Sequence, residues 1–283
     1  MLHFQNQFDL EYIVINDGST DRTLSQLQKF GNRIRVIDQE NMGESASVNV
    51  GIHLAKSEIL LVVSADDPLF TAELFVGVEN LFARSEGVVA AYCDWKKIDR
   101  DGKTLSEIRV PEFDLNLLLG RSRCLPGPGT FFRKSAAIQI GGRNVNWRYV
   151  GDFDFWLRLS RRGKIVYRPI LAAQWREHES STSIKFRGAH MAVERIKVVE
   201  DFLNDNSNNI SSELKKMALG NAYYSAARLC FFDDNVNGKK ILTRAFALRG
   251  RWIETAHIHE IAFILCTPFS FRLKKLFGIS ASR

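Results

Sequence analysis

Two adjacent carboxylates, Asp66 and Asp67, follow directly on the apolar run Ile59-Leu-Leu-Val-Val63 and precede Pro68. Acids side by side repel, so the pairing makes chemical sense where a divalent cation and a phosphate share the charge. The run is apolar enough for a strand buried on both faces of a parallel sheet. Pro68 cannot donate to a ladder and ends it. Both acids would then sit at the carboxyl end of a central strand, where open α/β sheets bind their ligands. The competing reading is a plain turn, with Asp67-Pro68 capping a helix from about Thr71.

The elements that must hold these acids alternate. Strands are expected at Leu10–Ile15, Ile34–Asp38, Ile59–Val63, Val88–Cys93 and Gly163–Pro169. Between them, helical spacing falls on Thr23–Phe30, Ser45–Ala55 and Thr71–Ala83. Such alternation predicts a mainly parallel, three-layer α/β sheet. From Asp94 to Pro128 the pattern weakens and turn residues accumulate, as in loops that carry function. Phe131–Ile140 and Asp152–Arg161 read as strand or helix pieces returning to the core. Beyond about Lys185 the character turns helical, with segments at His190–Leu203, Ser211–Phe232 and Gly238–Leu248 punctuated by Asn-rich stretches. Residues 1–184 are therefore expected to form the α/β domain and 185–283 a helical region.

With 45% hydrophobic and 25% charged residues, the chain is an ordinary globular one with a sizeable core. Lys+Arg 39 against Asp+Glu 32 gives +7, too mild to imply nucleic acid but compatible with polyphosphate ligands or an anionic membrane surface. The four cysteines lie far apart and form no CxxC pair, so neither a zinc site nor a disulfide framework is indicated, and a reduced, cytoplasmic setting is expected. The start lacks the basic and apolar regions of a signal peptide. Ile258–Phe271 is interrupted by Pro268 and too short to span a bilayer. The unpaired cations after Glu260, interleaved with apolar residues through Phe277, fit two arrangements equally well. One is an amphipathic helix at the inner membrane face; the other is a helix packed on the α/β domain.

Asp17-Gly18-Ser19-Thr20-Asp21 at a strand end resembles the Asp-Gly-Ser-Thr-Asp motif of family 2 glycosyltransferases, inverting sugar transferases with the GT-A fold. The resemblance continues through Gly43-Glu-Ser-Ala-Ser-Val-Asn49-Val-Gly51, Ala65-Asp66-Asp67, Gly129-Thr-Phe-Phe-Arg133 and Gly141-Gly142. It closes with Gly151-Asp152-Phe-Asp154-Phe-Trp156-Leu-Arg158 and Trp175-Arg176-Glu177-His178, followed by Ser180 to Ser183. The set stands in the family's order, and its order is more specific than any one motif.

The resemblance implies a role for each residue. Asp17 would accept a hydrogen bond from the base of a nucleotide, against a competing role as N-cap of the next helix. Asp67 would hold Mg²⁺ or Mn²⁺ on the donor diphosphate, with Asp66 assisting through the ribose or through water. His178 either adds a late metal or diphosphate contact or is a surface residue. Asp152 would be the general base that takes the acceptor hydroxyl proton. Asp154 is its rival, and on a helix only one of the two can face the acceptor. Trp95, Trp147 and Trp175 either stack on sugars or belong to the core. The implied reaction moves a sugar from a nucleotide-sugar donor, a UDP-sugar first, to a saccharide or lipid-linked saccharide acceptor, with inversion, in cell-surface polysaccharide synthesis.

One departure stands out. Family members open with a further strand, bearing a Pro-Thr-Tyr-Asn-like segment, and a helix before the part that matches Phe8 to Asp21. Met1-Leu-His-Phe-Gln-Asn-Gln-Phe8 resembles the tail of that helix. The expectation is a truncated reading frame, with a fragment or a catalytically inactive GT-A-like binding protein as alternatives. Neither G-x-G-x-x-G nor the P-loop pattern occurs, which disfavours dehydrogenases and P-loop phosphotransferases.

Overall fold

The computed structural model describes residues 4–5, 7–120, 126–178, 188–205, 210–230 and 235–249. The chain folds as two compact units, Met1–Leu118 with Arg123–Ile184, and Leu119–Ser122 with Lys185–Arg283.

In the first unit, β1 (Ile13–Asp17) runs parallel to β2 (Arg35–Gln39), with α1 (Thr23–Gln28) in the crossover and Asp17 opposite Gln39. Gly18 ends β1 with φ +73°, and a Cβ there would lie 2.7 Å from the Asn41 nitrogen. Only glycine meets both demands, so the strand end is drawn tightly against the segment before α2 (Glu44–Leu54).

The remaining strands form a second sheet. β3 (Ile59–Leu61) pairs antiparallel with β6 (Phe131–Arg133), which pairs antiparallel with the first half of β4 (Val88–Ile98). β5 (Thr104–Ile108) takes the second half of β4 antiparallel, and β7 (Lys164–Arg176) runs parallel along the other side of β4. The sheet is thus mixed, not mainly parallel, because β4 takes antiparallel partners on one side. Among the described residues β3 is an edge strand and only half-buried, although Leu60 packs on one core and Ile59 and Leu61 on the other, as its apolar run suggests.

β4 is the centre of the unit. Its residues alternate between two cores: Ala90 and Tyr92 face Ile52, Ala136 and Phe155, whereas Ala91 and Cys93 face Phe82 and Ala172. The first core packs α2, α5 (Lys134–Gln139) and α6 (Gly151–Leu159) on one side of the sheet; the second takes α3 (Val78–Arg84) on the other. That is a three-layer arrangement. The expected Thr71–Ala83 helix is broken: a 3₁₀ turn at Ala72–Leu74 is capped by the Thr71 hydroxyl, and Gly77 at φ +73° restarts the chain as α3.

β7 runs well past the expected end at Pro169. Pairing steps from Cys93↔Arg168 to Asp94↔Leu171, so Pro169 and Ile170 fall in a bulge and the missing proline N–H costs no ladder bond. Beyond the bulge, Asp94, 1% exposed, accepts hydrogen bonds from Tyr167, Arg109 and the Val110 nitrogen. Three donors satisfy a carboxylate that would otherwise be costly to bury.

After α4 (Leu115–Gly120), the second unit's helices are α7 (Ala189–Asn204), α8 (Ser212–Cys230) and α9 (Asn235–Arg249). Buried Ala192, Ala226 and Ala227 let the helices approach, Tyr223 and Tyr224 pack on Leu242 and Ala245, and the Tyr223 hydroxyl donates to Glu200. Among the described residues no helix is long and apolar enough to cross a membrane. The segment Ile258–Phe277, Ser180–Ser183, Cys124 and Cys266 lie outside the described residues; Cys93 and Cys230 are buried.

Candidate functional site

The chain turns immediately after β3, with the Asp67 nitrogen donating to the Ser64 carbonyl at 3.1 Å. The far end of β7 closes on this turn. The Arg176 nitrogen donates to Asp67 Oδ1 at 2.8 Å, and the Arg176 guanidinium donates to the carbonyls of Asp66, Asp99 and Arg100. Two residues on, His178 Nε2 lies 2.9 Å from Asp66 Oδ2. Asp67 caps no helix, since Thr71 does that itself. Burial pushes the Asp67 carboxyl up to about 6; the Arg176 hydrogen bond opposes this, the Asp66 charge adds to it, and the charges of Arg176 and His178 oppose it.

The donor set suits a hard divalent cation. Asp67 keeps Oδ2 for a ligand and Asp66 adds a second carboxylate, while the His178 imidazole is engaged with Asp66. Among the described residues no three acidic, histidine or cysteine side chains converge as a cage of their own. Mg²⁺ and Mn²⁺ bound through one or two carboxylates take their other ligands from phosphate and water, so the residues present fit such an ion.

Asp66 and Asp67 line a cavity of about 470 Å³ that Asp152 also lines. Asp152 is exposed in the first turn of α6, and its Oδ1 accepts from the Phe153 nitrogen at 2.7 Å. Asp154 is 8% exposed and holds Arg158, whose guanidinium also donates to the carbonyls of Ile140 and Gly142. The two acids therefore diverge: one faces the cavity and the other braces a turn.

A second brace holds the same turn. The Asn49 side chain donates to the Arg143 carbonyl at 2.8 Å and accepts from the Arg143 nitrogen at 2.7 Å. Gly142 has φ +70°, and a Cβ there would meet Asn49 Oδ1 at 2.3 Å. Asn49 and the Gly141-Gly142 pair, far apart in sequence, are thus two halves of one clamp. It fixes Arg143, which lines the cavity and pairs with Glu44 at 2.6 Å.

Asp17 does not line this cavity. Its Oδ1 accepts from Gln39 and the Met42 nitrogen, and Oδ2 accepts from the Gly43 nitrogen. Partial burial works against its charge, but these bonds and one with Ser47 outweigh it and lower the pKa. It fixes the entry to α2 instead of capping α1, where Asp21 takes the Thr23 nitrogen.

Trp95 and Trp175 line the cavity edge to face, with ring centroids 6.0 Å apart; buried Trp156 lines it as well, and Trp147 does not. Gly127 makes room for Trp95, since a Cβ there would meet its Nε1 at 2.9 Å. Arg143, Arg148 and Tyr149 also line the cavity. Residue types alone gave them no role, because nothing local marks the clamp that presents them.

Residues 2–141 match the family model described as glycosyl transferase family 2. Among curated relatives, an uncharacterized glycosyltransferase of Rickettsia typhi is 24% identical over 190 residues, 63% of this chain and 58% of that one. The hyaluronan synthase of Pasteurella multocida is 27% identical over 188 residues, 65% of this chain but 19% of that one. The chain therefore spans only part of the length of these relatives. Among solved structures, Staphylococcus aureus TarS 1-349 in complex with UDP-GlcNAc superposes with a TM-score of 0.57 at 15% identity, covering 88% of this chain and 85% of that one. The mannosyltransferase PcManGT of Pyrobaculum calidifontis, in complex with GDP-Man and Mn²⁺, gives 0.53 at 14% identity, covering 93% and 73%. The fold is GT-A, and the chain belongs to glycosyl transferase family 2.

Proposed function

We propose that the chain is a metal-dependent, inverting glycosyltransferase that moves a sugar from a nucleoside-diphosphate donor, a UDP-sugar first, to a saccharide or lipid-linked saccharide acceptor. The observation that carries this reading is the cavity that Asp66, Asp67 and Asp152 line together, with His178 held against Asp66 beside it. Asp67 holds Mg²⁺ or Mn²⁺ with help from Asp66 and His178, and the ion supplies charge neutralisation for the departing diphosphate. Asp152, exposed and among the described residues held through the neighbouring Phe153 nitrogen, is free to take the acceptor hydroxyl proton. Asp17 keeps acceptor capacity on Oδ2 for a base N–H while fixing the loop before α2.

We read residues 1–184 as the transferase domain and 185–283 as a helical region. Peripheral attachment at the inner membrane face and a place in surface-polysaccharide synthesis belong to the same reading. The test is Mn²⁺-dependent release of UDP from a panel of UDP-sugars, with and without oligosaccharide acceptors. Release lost in both Asp67→Ala and Asp152→Asn, with UDP binding kept in Asp152→Asn, supports the assignment. Wild-type rates in both variants overturn it.

A further inference from the structure

The Arg143 side chain is only 11% exposed, whereas its partner Glu44 is 70% exposed. A guanidinium that deeply placed needs an anion beside it. The anion it has is one that returns to water at little cost, because Glu44 stands at the solvent-facing start of α2. The arginine's backbone, by contrast, is fixed. Asn49 holds its backbone from both sides, Gly142 leaves no space for the turn to shift, and Arg158 ties the preceding carbonyls. A cation on a braced backbone that lines a cavity and is neutralised by an exchangeable carboxylate has the character of an anion receptor whose own chain supplies a stand-in.

We propose that Arg143 reads an anionic group on the acceptor, so that the acceptor is a saccharide carrying a carboxylate or phosphate, which displaces Glu44 from the guanidinium. This rests on the transferase reading for the word acceptor. Arg143 belongs to the turn braced by α2 and α6, the helix that carries Asp152. The Asp66-Asp67 turn is held separately by β7. The donor diphosphate has its counter-charge in the cation at Asp67; an anion at Arg143 has none other from that site. Trp95 and Trp175 supply aromatic faces in the same cavity for the sugar ring.

Binding of methyl β-D-glucuronoside and of neutral methyl β-D-glucoside to the full 283-residue chain is measured by NMR titration at low salt. UDP with Mn²⁺ is titrated separately. The wild type prefers the glucuronoside, and Glu44→Gln, which frees the guanidinium, tightens glucuronoside binding by roughly three- to tenfold while leaving the glucoside unchanged. Arg143→Met abolishes the preference, and Arg143→Lys restores part of it. A merely structural tie predicts the reverse for Glu44→Gln: lower melting temperature and no gain in anion binding. Equal binding of the two glycosides by wild type and Glu44→Gln overturns the proposal. So does a loss of UDP affinity in Arg143→Met with no glycoside preference anywhere, which makes the guanidinium a donor-phosphate contact. Failure of the transferase reading shows as absent UDP binding in the wild type, whereas failure of this proposal shows as absent discrimination between glycosides.

Discussion

His178 and Asp66, 112 residues apart in sequence, meet at 2.9 Å between Nε2 and Oδ2. The contact exists because β7 continues through the bulge at Pro169 and stays paired with β4 to Ile98↔Arg176. The strand delivers Arg176 and then His178 onto the turn that carries the two acids. A single long strand thus brings His178 onto the acid pair from far along the domain.

Arg176 is the keystone of that delivery. Its guanidinium donates to three carbonyls, those of Asp66, Asp99 and Arg100. Arg176→Ala is expected to lower stability by about 2 kcal/mol, since several charge-assisted bonds are lost at once. UDP affinity in the presence of Mn²⁺ should fall with it, while β7 itself persists. Thermal unfolding and UDP titration of one preparation check both effects; unchanged UDP affinity contradicts the role given to the clamp.

Asp67 makes stability depend on pH in a direction opposite to most carboxylates. Its folded pKa of about 6 lies above the ordinary value of 3.8, chiefly through burial. The favourable contribution is therefore fully present below the ordinary value and is lost as pH rises through about 6. Asp67→Asn keeps an oxygen for the Arg176 nitrogen and removes the buried charge. The variant should melt higher than the metal-free wild type at pH 7.5, and the advantage should shrink as pH falls towards 4. Melting curves in EDTA across that range test it; an advantage that does not change with pH refutes the burial argument.

Gly142 should tolerate no side chain. At φ +70°, with a Cβ 2.3 Å from Asn49 Oδ1, Gly142→Ala forces both backbone strain and loss of the Asn49 bonds. A cost of about 2–3 kcal/mol is expected. Gly141→Ala is the control: it also has positive φ, but a Cβ there meets nothing within 4 Å. It should cost about 1 kcal/mol, the backbone term alone. Equal losses in the two variants would falsify the clamp.

Asp152 and Asp154 should separate function from stability. Asp154→Ala strands Arg158 and loosens the Ile140–Gly142 turn, at a cost of about 2–3 kcal/mol. Asp152→Asn leaves melting nearly unchanged but removes turnover by about two orders of magnitude or more. Melting temperature and UDP release, measured on both variants, decide between the acids.

Much of this was legible in the sequence, and the parts that were not share a cause. The acid pair, its strand, the α2 helix and the Asp152/Asp154 divergence follow from local pattern, because hydrophobic period and helical spacing are local properties. The antiparallel placing of β6 and the edge position of β3 are not local; a three-residue strand carries no mark of its partner. Pro169 argued for an end to β7, yet a bulge hid the missing N–H and let the strand run on to His178. Asp17 offered two roles by residue type, base contact or cap of α1, and the structure gives it a different anchorage on Met42 and Gly43. Arg143 had no signal at all, since its importance comes from Asn49 reaching across 94 residues.

The central claim is that Asp67, in the turn closed by Arg176 and His178, holds a divalent cation for a nucleoside diphosphate. The direct measurement is calorimetric titration of UDP into the full chain at pH 7.5, with Mn²⁺ and with EDTA, beside Asp67→Ala. Binding that requires Mn²⁺ and disappears in a folded Asp67→Ala is the expected result. Binding of equal strength in EDTA, or in the variant, would contradict it.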